Sequence, residues 1–311
     1  MRKMAGPRDS TRTVRWLVAI AFAGLACVIL PRRLAAQQRS DTTAHDSLHT
    51  HVLRARDGTT LIGRLLAETP DTVRFESNGN VFTLARSQIL EIRSIEPGQL
   101  KRGEYWFPDP NRTRLFFAPT GRMLAKGEGY FSDTYLLLIT VAGGVTSNFT
   151  MGGGMSLIPS SNPQNNIFYL TPKIGLVDRP NFALAAGALV GFAGFEGIEN
   201  RDRSFGILYG TSTFGPADHH LDIGAGWGYT GGKVSADPAI MVGGATRVSR
   251  RVSLLTENYF VPNVSDDALI SYGFRFFGEK LSVDLAFANA VGPKTTLLFP
   301  GVPYVAFAVK F

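Results

Sequence analysis

The sequence predicts an all-β protein, most of which is a closed, antiparallel, up-and-down β-barrel that crosses a membrane. No apolar run in the body of the chain reaches the roughly 18 residues that mark a membrane-spanning helix, and mean hydropathy is +0.04. From residue 113 onward, runs of about ten residues alternate large apolar with small or polar side chains, and turn residues separate them. The connections also alternate between short and long, as expected of a transmembrane barrel.

The alternating runs give a barrel of about twelve strands, because each has about the 9–11 residues that a transmembrane strand needs. In residues 281–290, for example, Leu281 and Leu285 share one face while Ser282 and Asp284 share the other. A soluble lipocalin or β-sandwich alternates too, with its apolar face inward. The glycine and alanine of the second face are too small to fill a dry core, which favours the membrane. The predicted runs are 113–119, 130–145, 149–158, 167–177, 182–190, 205–214, 221–229, 239–248, 252–261, 269–277, 281–290 and 302–311.

The last run, residues 302–311, reads V-P-Y-V-A-F-A-V-K-F and ends on an aromatic residue. Val305, Phe307, Val309 and Phe311 fall on one face. This strand resembles the closing strand of bacterial outer-membrane β-barrels. The resemblance implies a location in the bacterial outer membrane, contact with outer-membrane lipid, and those four residues as the assembly signal. It also implies the barrel-assembly machinery and periplasmic chaperones as partners during biogenesis.

The N-terminus has the features of a secretory signal peptide, predicted here as residues 1–36. A basic region precedes an apolar core at 16–30, and cleavage is expected after Ala36; an uncleaved anchor is the alternative. These residues contain seven Lys/Arg and one acid, so they contribute six of the seven net positive charges. The mature chain is therefore nearly neutral, and no nucleic acid is expected as a partner. The single cysteine, Cys27, also lies in this segment, and residues 37–50 are predicted to be a disordered linker.

A small β domain is predicted at residues 51–96, where turn signals such as Asp57-Gly58 and Asn78-Gly79 separate short strand-like runs. Its pattern resembles a small Sm/SH3-type barrel, a fold whose members bind RNA or peptides. Behind a signal peptide we interpret it as a periplasmic domain. A linker at 97–112 and the barrel at 113–311 complete the predicted organisation. The strand-like runs are 52–56, 59–67, 72–77, 81–85 and 89–92.

The topology follows from parity. With the C-terminus on the periplasmic side, an even number of strands also places the small domain there. The weak run 113–119 is retained for this reason, since an odd count would place the domain outside the cell. The short turns then predicted to be periplasmic are 146–148, 178–181, 215–220, 249–251 and 278–280.

Isolated charges on the small-residue face are predicted to line the lumen. On the lipid face near the membrane midplane each would cost about 2–4 kcal/mol. They could form the mixed-charge constriction of a water-filled channel, or they could pair with one another and fill a plugged barrel. Both alternatives remain open at this point. The candidate lumen-lining residues are Lys173, Asp222, Arg247, Glu257, Arg275, Asp284 and Lys310.

Catalytic and metal-binding motifs are weak. Asp218, His219 and His220 are adjacent and invite a hydrolase triad with Ser204 or Ser212, but they fall on a predicted turn and no G-x-S-x-G motif occurs. The chain is therefore expected not to be an enzyme, and no cofactor or metal is expected. Three histidines near the predicted linker are interpreted as solvated: His45, His49 and His51.

Three functions compete on this basis. The first is a passive channel or structural membrane protein, in which the lumen charges set any selectivity. The second is an enzyme that modifies outer-membrane lipids, which would need catalytic groups near the outer rim. The third is a membrane-anchored binding protein that acts through its periplasmic domain. The sequence does not determine the oligomeric state.

Overall fold

The computed structural model describes residues 50–95, 97–101, 103–157, 166–193, 204–262, 266–293 and 299–311. The predicted signal peptide and residues 37–49 of the predicted linker lie outside the described residues. Thr50–Phe311 form one compact unit. Within the described part of the chain, no helix is long and apolar enough to cross a membrane.

The first five strands form an antiparallel sheet in the order β4-β3-β2-β1-β5. A two-residue turn at Asn78 and Gly79, with φ of 51° and 78°, joins β3 to β4, as the Asn-Gly signal predicts. The strands agree with the predicted runs to within two residues. They are β1 (His51–Ala55), β2 (Thr60–Glu68), β3 (Thr72–Ser77), β4 (Asn80–Ala85) and β5 (Ile89–Ser94), with a 3-10 helix at Arg86–Gln88 before β5.

This sheet buries apolar side chains on both of its faces. One cluster lies between its own strands and contains Leu53, Val73, Phe75 and Ile89. The second cluster contains Val52 and Ile95 together with three aromatic residues from farther along the chain: Tyr105, Phe107 and Phe277. The second face is therefore packed against the segment that follows the sheet and against the barrel. A second 3-10 helix (Pro97–Gln99) and the two-stranded ribbon β6 (Leu100–Lys101) and β7 (Glu104–Tyr105) make this connection.

The remaining strands form a closed barrel. β11 and β12 both pair with β10 and with β13, so together they occupy one position in the wall, interrupted at Thr171-Pro172. β16 pairs only with β15, and β21 pairs with β8 to close the sheet. The wall strands are β8 (Gly129–Thr134), β9 (Leu138–Thr146), β10 (Phe149–Ser156), β11 (Ile167–Leu170), β12 (Lys173–Arg179), β13 (Phe182–Ala193), β14 (Ser204–Phe214), β15 (His219–Thr230), β16 (Lys233–Val234), β17 (Ala239–Ser249), β18 (Val252–Phe260), β19 (Ala268–Phe277), β20 (Leu281–Val291) and β21 (Val302–Lys310). The predicted fold class, an all-β chain with a closed twelve-stranded antiparallel barrel, is confirmed.

Large apolar side chains cover the outside of the barrel, and small or polar side chains face inward. On β20, Leu281 and Leu285 are exposed whereas Ser282 and Asp284 are buried. The same alternation recurs on β19, β15 and β21. Because the apolar face points outward, a soluble barrel with an apolar core is excluded, and the outward surface suits lipid.

The prediction that residues 113–119 form the first strand of the barrel is wrong. Only Arg114 and Pro119 make an isolated bridge, and the residues between them form a tight loop. Leu115, Phe116 and Ala118 are buried against inward-facing wall residues. The run alternates like a strand because it meets an apolar patch inside the barrel. The wall begins at Gly129.

The predicted single strand at 130–145 is also wrong, because it is the hairpin of β8 and β9. Its turn places Tyr135 and Leu136 at φ of 60° and 59°. Such values are unusual for bulky residues and are found mostly in Asn and Gly, so the turn has no sequence signal. Two hydrogen bonds to β21 support it, from Tyr135 N to Val305 O at 3.0 Å and from the Tyr135 hydroxyl to Pro303 O at 2.8 Å. The predicted strand at 113–119 is absent from the wall, and the predicted run 130–145 contains two strands instead of one. The two errors cancel, so the predicted number of twelve wall strands is unchanged.

The short turns and the C-terminus lie at one end of the barrel, which we call the turn end. The small sheet contacts this end, through an ion pair between Arg54 and Glu279 and through the packing of Val52 with Phe277. At the opposite end are the hairpin 135–137 and the longer connections. This end is called the loop end.

Candidate functional site

The lumen segment, residues 107–126, runs through the interior of the barrel. Leu115 and Phe116 are each 1% exposed, and Tyr304 on β21 donates a hydrogen bond to Phe116 O at 3.0 Å. Further hydrogen bonds join the segment to β12, β14, β18 and β19. Strands from several sides of a closed wall contact the segment, so it lies inside and occupies the lumen.

Glu257 on β18 binds the tip of the lumen segment. Its Oε2 accepts hydrogen bonds from the backbone N–H groups of Phe116, Phe117 and Ala118 at 2.8, 3.0 and 3.0 Å. The Tyr259 hydroxyl donates to Oε1 at 2.7 Å. Consecutive backbone N–H groups that converge on one oxygen form an anion-binding nest. Glu257 is 1% exposed, so these donors replace the water that its charge would otherwise require.

Arg275 on β19 joins the wall to the lumen segment at a second point. Its Nε and Nη2 bind the two carboxylate oxygens of Asp284 at 2.7 and 2.9 Å. Its Nη1 donates to Asp109 at 3.0 Å, and its Nη2 donates to Leu115 O at 2.7 Å. A bidentate pair of this kind fixes both position and orientation. Removing one partner of such a buried pair typically costs about 3–5 kcal/mol, because the other charge is left uncompensated.

The C-terminal half of the lumen segment has three further attachments. Lys173 on β12 donates from Nζ to Arg122 O at 2.6 Å. Arg122 in turn donates from Nη2 to Gly215 O at 2.6 Å. The N–H of Gly121 donates to Thr213 Oγ1 at 2.8 Å. The segment is therefore bound to the wall along its length rather than at one contact.

Two glycines mark places where the lumen segment and the wall approach too closely for a side chain. A Cβ at Gly121 would lie 2.5 Å from Ala183 O, and a Cβ at Gly243 would lie 2.6 Å from a methyl group of Leu115. One glycine belongs to the segment and the other to β17. Close packing from both sides leaves the segment little freedom to shift.

A charged cluster fixes the start of the lumen segment at the turn end. Asp218 accepts hydrogen bonds from Lys101 at 2.6 Å and from Arg247 at 3.1 Å. Arg247 also donates to Phe107 O at 2.9 Å, and both cations lie over the ring of Trp106. Burial alone would raise the pKa of Asp218, but the hydrogen bonds from Lys101 and Arg247 outweigh it and lower that pKa below its usual range.

The adjacent acid and histidines do not form a catalytic triad. His220 Nδ1 lies 2.6 Å from Asp222 rather than beside Asp218, and the other oxygen of Asp222 accepts from Thr213. The acid thus lies between the imidazole and the hydroxyl, whereas a triad places the imidazole in the middle. Ser212 donates to Ile223 O instead. Within the described part of the chain, no group of three His, Cys, Asp or Glu residues could bind a metal ion. Two of the three predicted tail histidines, His45 and His49, lie outside the described residues; the third, His51, begins β1.

The seven predicted lumen-lining residues all come from wall strands, and most contact the lumen segment or its anchors. Glu257 and Arg275 bind it directly, as described above. Asp222 accepts a hydrogen bond from the hydroxyl of Thr213, which itself binds the lumen segment, and Lys310 forms an ion pair with Glu128 at 2.6 Å. The residues that are at most 6% exposed are Lys173, Asp222, Arg247, Glu257, Arg275 and Asp284; Lys310 is half-buried.

The predicted assembly-signal residues lie on the outer face of the last strand. Val305, Val309 and Phe311 are exposed, and Phe307 is partly covered by Phe131. The main chain of Phe311 exchanges two hydrogen bonds with Gly129, at 2.9 and 3.0 Å. The terminal residue thus takes part in closing the barrel.

A cavity of about 460 Å³ lies between the lumen segment and the loop end. Arg114, Phe117 and Pro119 of the segment form its floor. Its walls are mainly apolar, with several threonine hydroxyls and four tyrosines. The volume falls within the roughly 300–1,000 Å³ that is typical of small-molecule sites.

The sequence pattern did not predict the partners that the lumen segment contributes, which include Asp109, Arg114 and Arg122. It did not predict Thr213 on the wall either. The available signal was a charged and proline-containing stretch that a central strand would not tolerate, from Pro108 through Arg122.

The closed wall, the outward apolar surface and the inward charges define a transmembrane β-barrel protein. No protein-family model and no curated protein matches the chain. Among solved structures, a NanC porin is 7% identical and has a TM-score of 0.35, covering 59% of this chain and 97% of that chain. Outer-membrane-expressed OmpT of Vibrio cholerae is 12% identical with a TM-score of 0.33, covering 85% of this chain and 95% of that chain. A loop-deletion variant of the same protein is 11% identical, covers 85% and 96%, and has a TM-score of 0.32. At these values the likenesses carry no argument about function.

The expectation that the chain is not an enzyme does not stand. It depended only on the absence of a recognisable motif, and an absent motif excludes no activity. A barrel of this type is compatible with catalytic and non-catalytic proteins alike. The fold therefore gives no ground for excluding an activity.

Proposed function

We propose that the protein is an outer-membrane barrel that its own chain closes, so that it does not conduct solutes while the lumen segment is in place. The observation that carries this proposal is the nest of three backbone N–H groups on the buried carboxylate of Glu257. Passive channels need a continuous water-filled lumen. Here the lumen charges bind the chain instead of facing water.

The test is conductance in planar bilayers of the purified, folded full-length protein. Insertion and folding are established separately by heat-modifiable gel migration, and an open porin in the same bilayers serves as the positive control. We expect no steady conductance above the bilayer background. A stable, stepwise conductance of porin size from the unmodified protein would contradict the proposal.

The seven charged residues predicted to line the lumen would border a conducting path only when the segment is displaced. Four of them are cations and three are acids, so a cleared lumen would have mixed charge. The cations are Lys173, Arg247, Arg275 and Lys310, and the acids are Asp222, Glu257 and Asp284. Replacing one cation in a variant that conducts should shift the ion selectivity measured from reversal potentials. Unchanged selectivity in each such variant would argue that they do not line the path.

A binding role for the small domain is the second candidate. The strand order β4-β3-β2-β1-β5, with a 3-10 helix before the last strand, supports an Sm/SH3-like barrel at 51–96. We propose that this domain is periplasmic and that the signal peptide and linker of the predicted organisation, 1–36 and 37–50, precede it. An epitope inserted in the Asn78-Gly79 turn should be inaccessible to antibody in intact cells and accessible after the outer membrane is permeabilised. Labelling of intact cells would contradict the proposed periplasmic location and place the domain outside the cell.

Assembly is proposed to follow the usual route of outer-membrane barrels, with the barrel-assembly machinery and periplasmic chaperones as transient partners. The outward face of β21 and the terminal Phe311 support this. Truncation of Phe311 also removes two hydrogen bonds to Gly129 that close the wall. Refolding of the truncated protein into detergent micelles separates the two effects, because refolding in micelles does not depend on the machinery.

A further inference from the structure

We propose that the cavity above the lumen segment binds a single-chain amphiphile with a small anionic headgroup. The cavity is polar at its floor and apolar toward the loop end. This proposal does not depend on whether the barrel conducts, because it concerns the space that remains while the segment is in place.

The floor of the cavity presents cations that the described residues leave without a carboxylate partner. Arg114 donates from Nε to Asn111 Oδ1 at 3.1 Å and from Nη1 to Ser132 at 3.2 Å, and its buried Nη2 has no hydrogen-bond partner among the described residues. Lys173 binds only main-chain carbonyl oxygens, those of Arg122 at 2.6 Å and Thr113 at 3.5 Å. Since Thr113 precedes Arg114, both cations belong to the same part of the floor. A guanidinium group keeps its charge at any accessible pH, so a buried one favours an anionic partner.

Two hydroxyl groups in the lining of the cavity are also unsatisfied among the described residues. Thr150 is 8% exposed and Thr211 is 3% exposed, and the Oγ1 atom of each has no hydrogen-bond partner among the described residues. Both line the cavity, and Thr150 is the direct cross-strand neighbour of Lys173. Buried polar groups are normally paired, so unpaired groups that face one cavity indicate a ligand that supplies acceptors.

Large apolar side chains line much of the upper part of the cavity, together with a few threonine and tyrosine hydroxyls. Leu138 and Ile167 begin their strands at the loop end, and Leu189 and Ile207 are cross-strand neighbours on the inward face close to that end. Ile207 is 45% exposed although it faces the lumen, and Phe117 on the floor is 56% exposed. An alkyl chain that extends from the floor toward the loop end would cover these side chains.

The volume limits the size of the ligand. At the roughly 30 Å³ that one water-sized group occupies, a cavity of about 460 Å³ accommodates about fifteen non-hydrogen atoms. One alkyl chain of about twelve carbons with a carboxylate or a phosphate monoester is close to this limit, and a two-chain phospholipid is far beyond it. The charge of Arg114 suits a carboxylate or a phosphate monoester, which share the same recognition chemistry.

The test is binding of dodecanoate, dodecyl phosphate and dodecanol to the full-length protein in phosphatidylcholine nanodiscs, measured by native mass spectrometry against empty nanodiscs. We expect saturable binding of one anionic molecule per barrel, at least tenfold tighter than binding of dodecanol. The stronger of the two anions identifies the headgroup. Equal binding of dodecanol, or no saturable binding of any of the three, would overturn the proposal.

Variants assign the site. Arg114→Gln should weaken anion binding about tenfold or more and leave dodecanol unchanged, whereas Arg251→Gln, on an exposed turn, should change neither. If Arg114→Gln does not fold, Leu189→Trp provides an independent test, because the larger ring fills the apolar part of the cavity and should abolish binding of both anions. Retained anion binding in a folded Leu189→Trp barrel would place the ligand elsewhere and refute the site.

Discussion

Replacing Glu257 by alanine should increase the fraction of barrels in which the lumen segment is displaced, without unfolding the barrel. The carboxylate has its hydrogen bonds to three consecutive N–H groups of the lumen segment and to Tyr259 on its own strand. No side-chain hydrogen bond of Glu257 joins two wall strands in the described structure, and its backbone pairing within the sheet is unaffected by the substitution. The substitution therefore acts on the equilibrium between a bound and a displaced segment rather than on closure of the wall.

The free-energy cost of the substitution follows from the backbone N–H donors of the lumen segment that lose their acceptor. Phe116 and Ala118 are buried, at 1% and 5% exposure, so their N–H groups lose the acceptor that they have in the described structure. An unsatisfied buried donor costs about 1–3 kcal/mol, which gives about 2–6 kcal/mol for the two. Each 1.4 kcal/mol changes an equilibrium constant about tenfold. The ratio of displaced to bound segment should therefore rise about 30-fold at the lower limit of this range and about 20,000-fold at the upper limit. Water that enters the vacated space brings the cost toward the lower limit.

Glu257→Gln provides a graded comparison. The amide keeps one acceptor oxygen but loses the charge, and hydrogen bonds to a charged acceptor are about twice as strong as neutral ones. The population of displaced segment in Glu257→Gln should therefore lie between that in the wild type and that in Glu257→Ala. Glu279→Ala is the matched control, because this glutamate pairs with Arg54 at the turn end and has no contact with the lumen segment in the described structure.

The assay is single-channel recording in planar bilayers, with folding checked by gel migration. Open probability should rise in the order wild type, Glu257→Gln, Glu257→Ala, and Glu279→Ala should match the wild type. If folded Glu257→Ala remains as silent as the wild type, the nest does not control the lumen and the reasoning is refuted. The same conclusion would follow if Glu279→Ala conducted equally well.

Three further outcomes are expected. Gly121→Ala should loosen the lumen segment and increase its cleavage by added protease, because the new Cβ would lie 2.5 Å from a wall carbonyl oxygen; wild-type protection would contradict this. Since the pKa of Asp218 is lowered by Lys101 and Arg247, its contribution to stability is present above its unfolded value near pH 4 and is lost as pH falls through the lower folded value. Asp218→Asn should therefore remove part of the acid sensitivity of the thermal midpoint, and an identical pH profile would refute this role. Deleting Phe311 should slow refolding in micelles and reduce the heat-modifiable fraction, because two hydrogen bonds that close the wall are lost.

The sequence by itself determined the wall of the barrel. The predicted run 281–290 and the observed strand Leu281–Val291 nearly coincide, and Ser282 and Asp284 on its small-residue face are buried. A membrane requires each strand to place apolar side chains on one face and to satisfy its backbone through its neighbours. That requirement is local and has a period of two residues, so the alternating pattern can be recognised in each strand without knowledge of its neighbours.

The occupied lumen was decided only by the tertiary structure. Residues 113–119 alternate as a strand does, but Leu255 and neighbouring apolar side chains on the inward face gave them a second place to pack. The partners of Arg275 on the lumen segment are 160 or more positions away in the chain. Such pairings leave no local signal, because they depend on which side chains meet after the wall has closed. The hairpin at Tyr135 and Leu136 was missed for a related reason, since hydrogen bonds that Tyr135 donates to carbonyl oxygens of β21, rather than turn-forming residue types, support it.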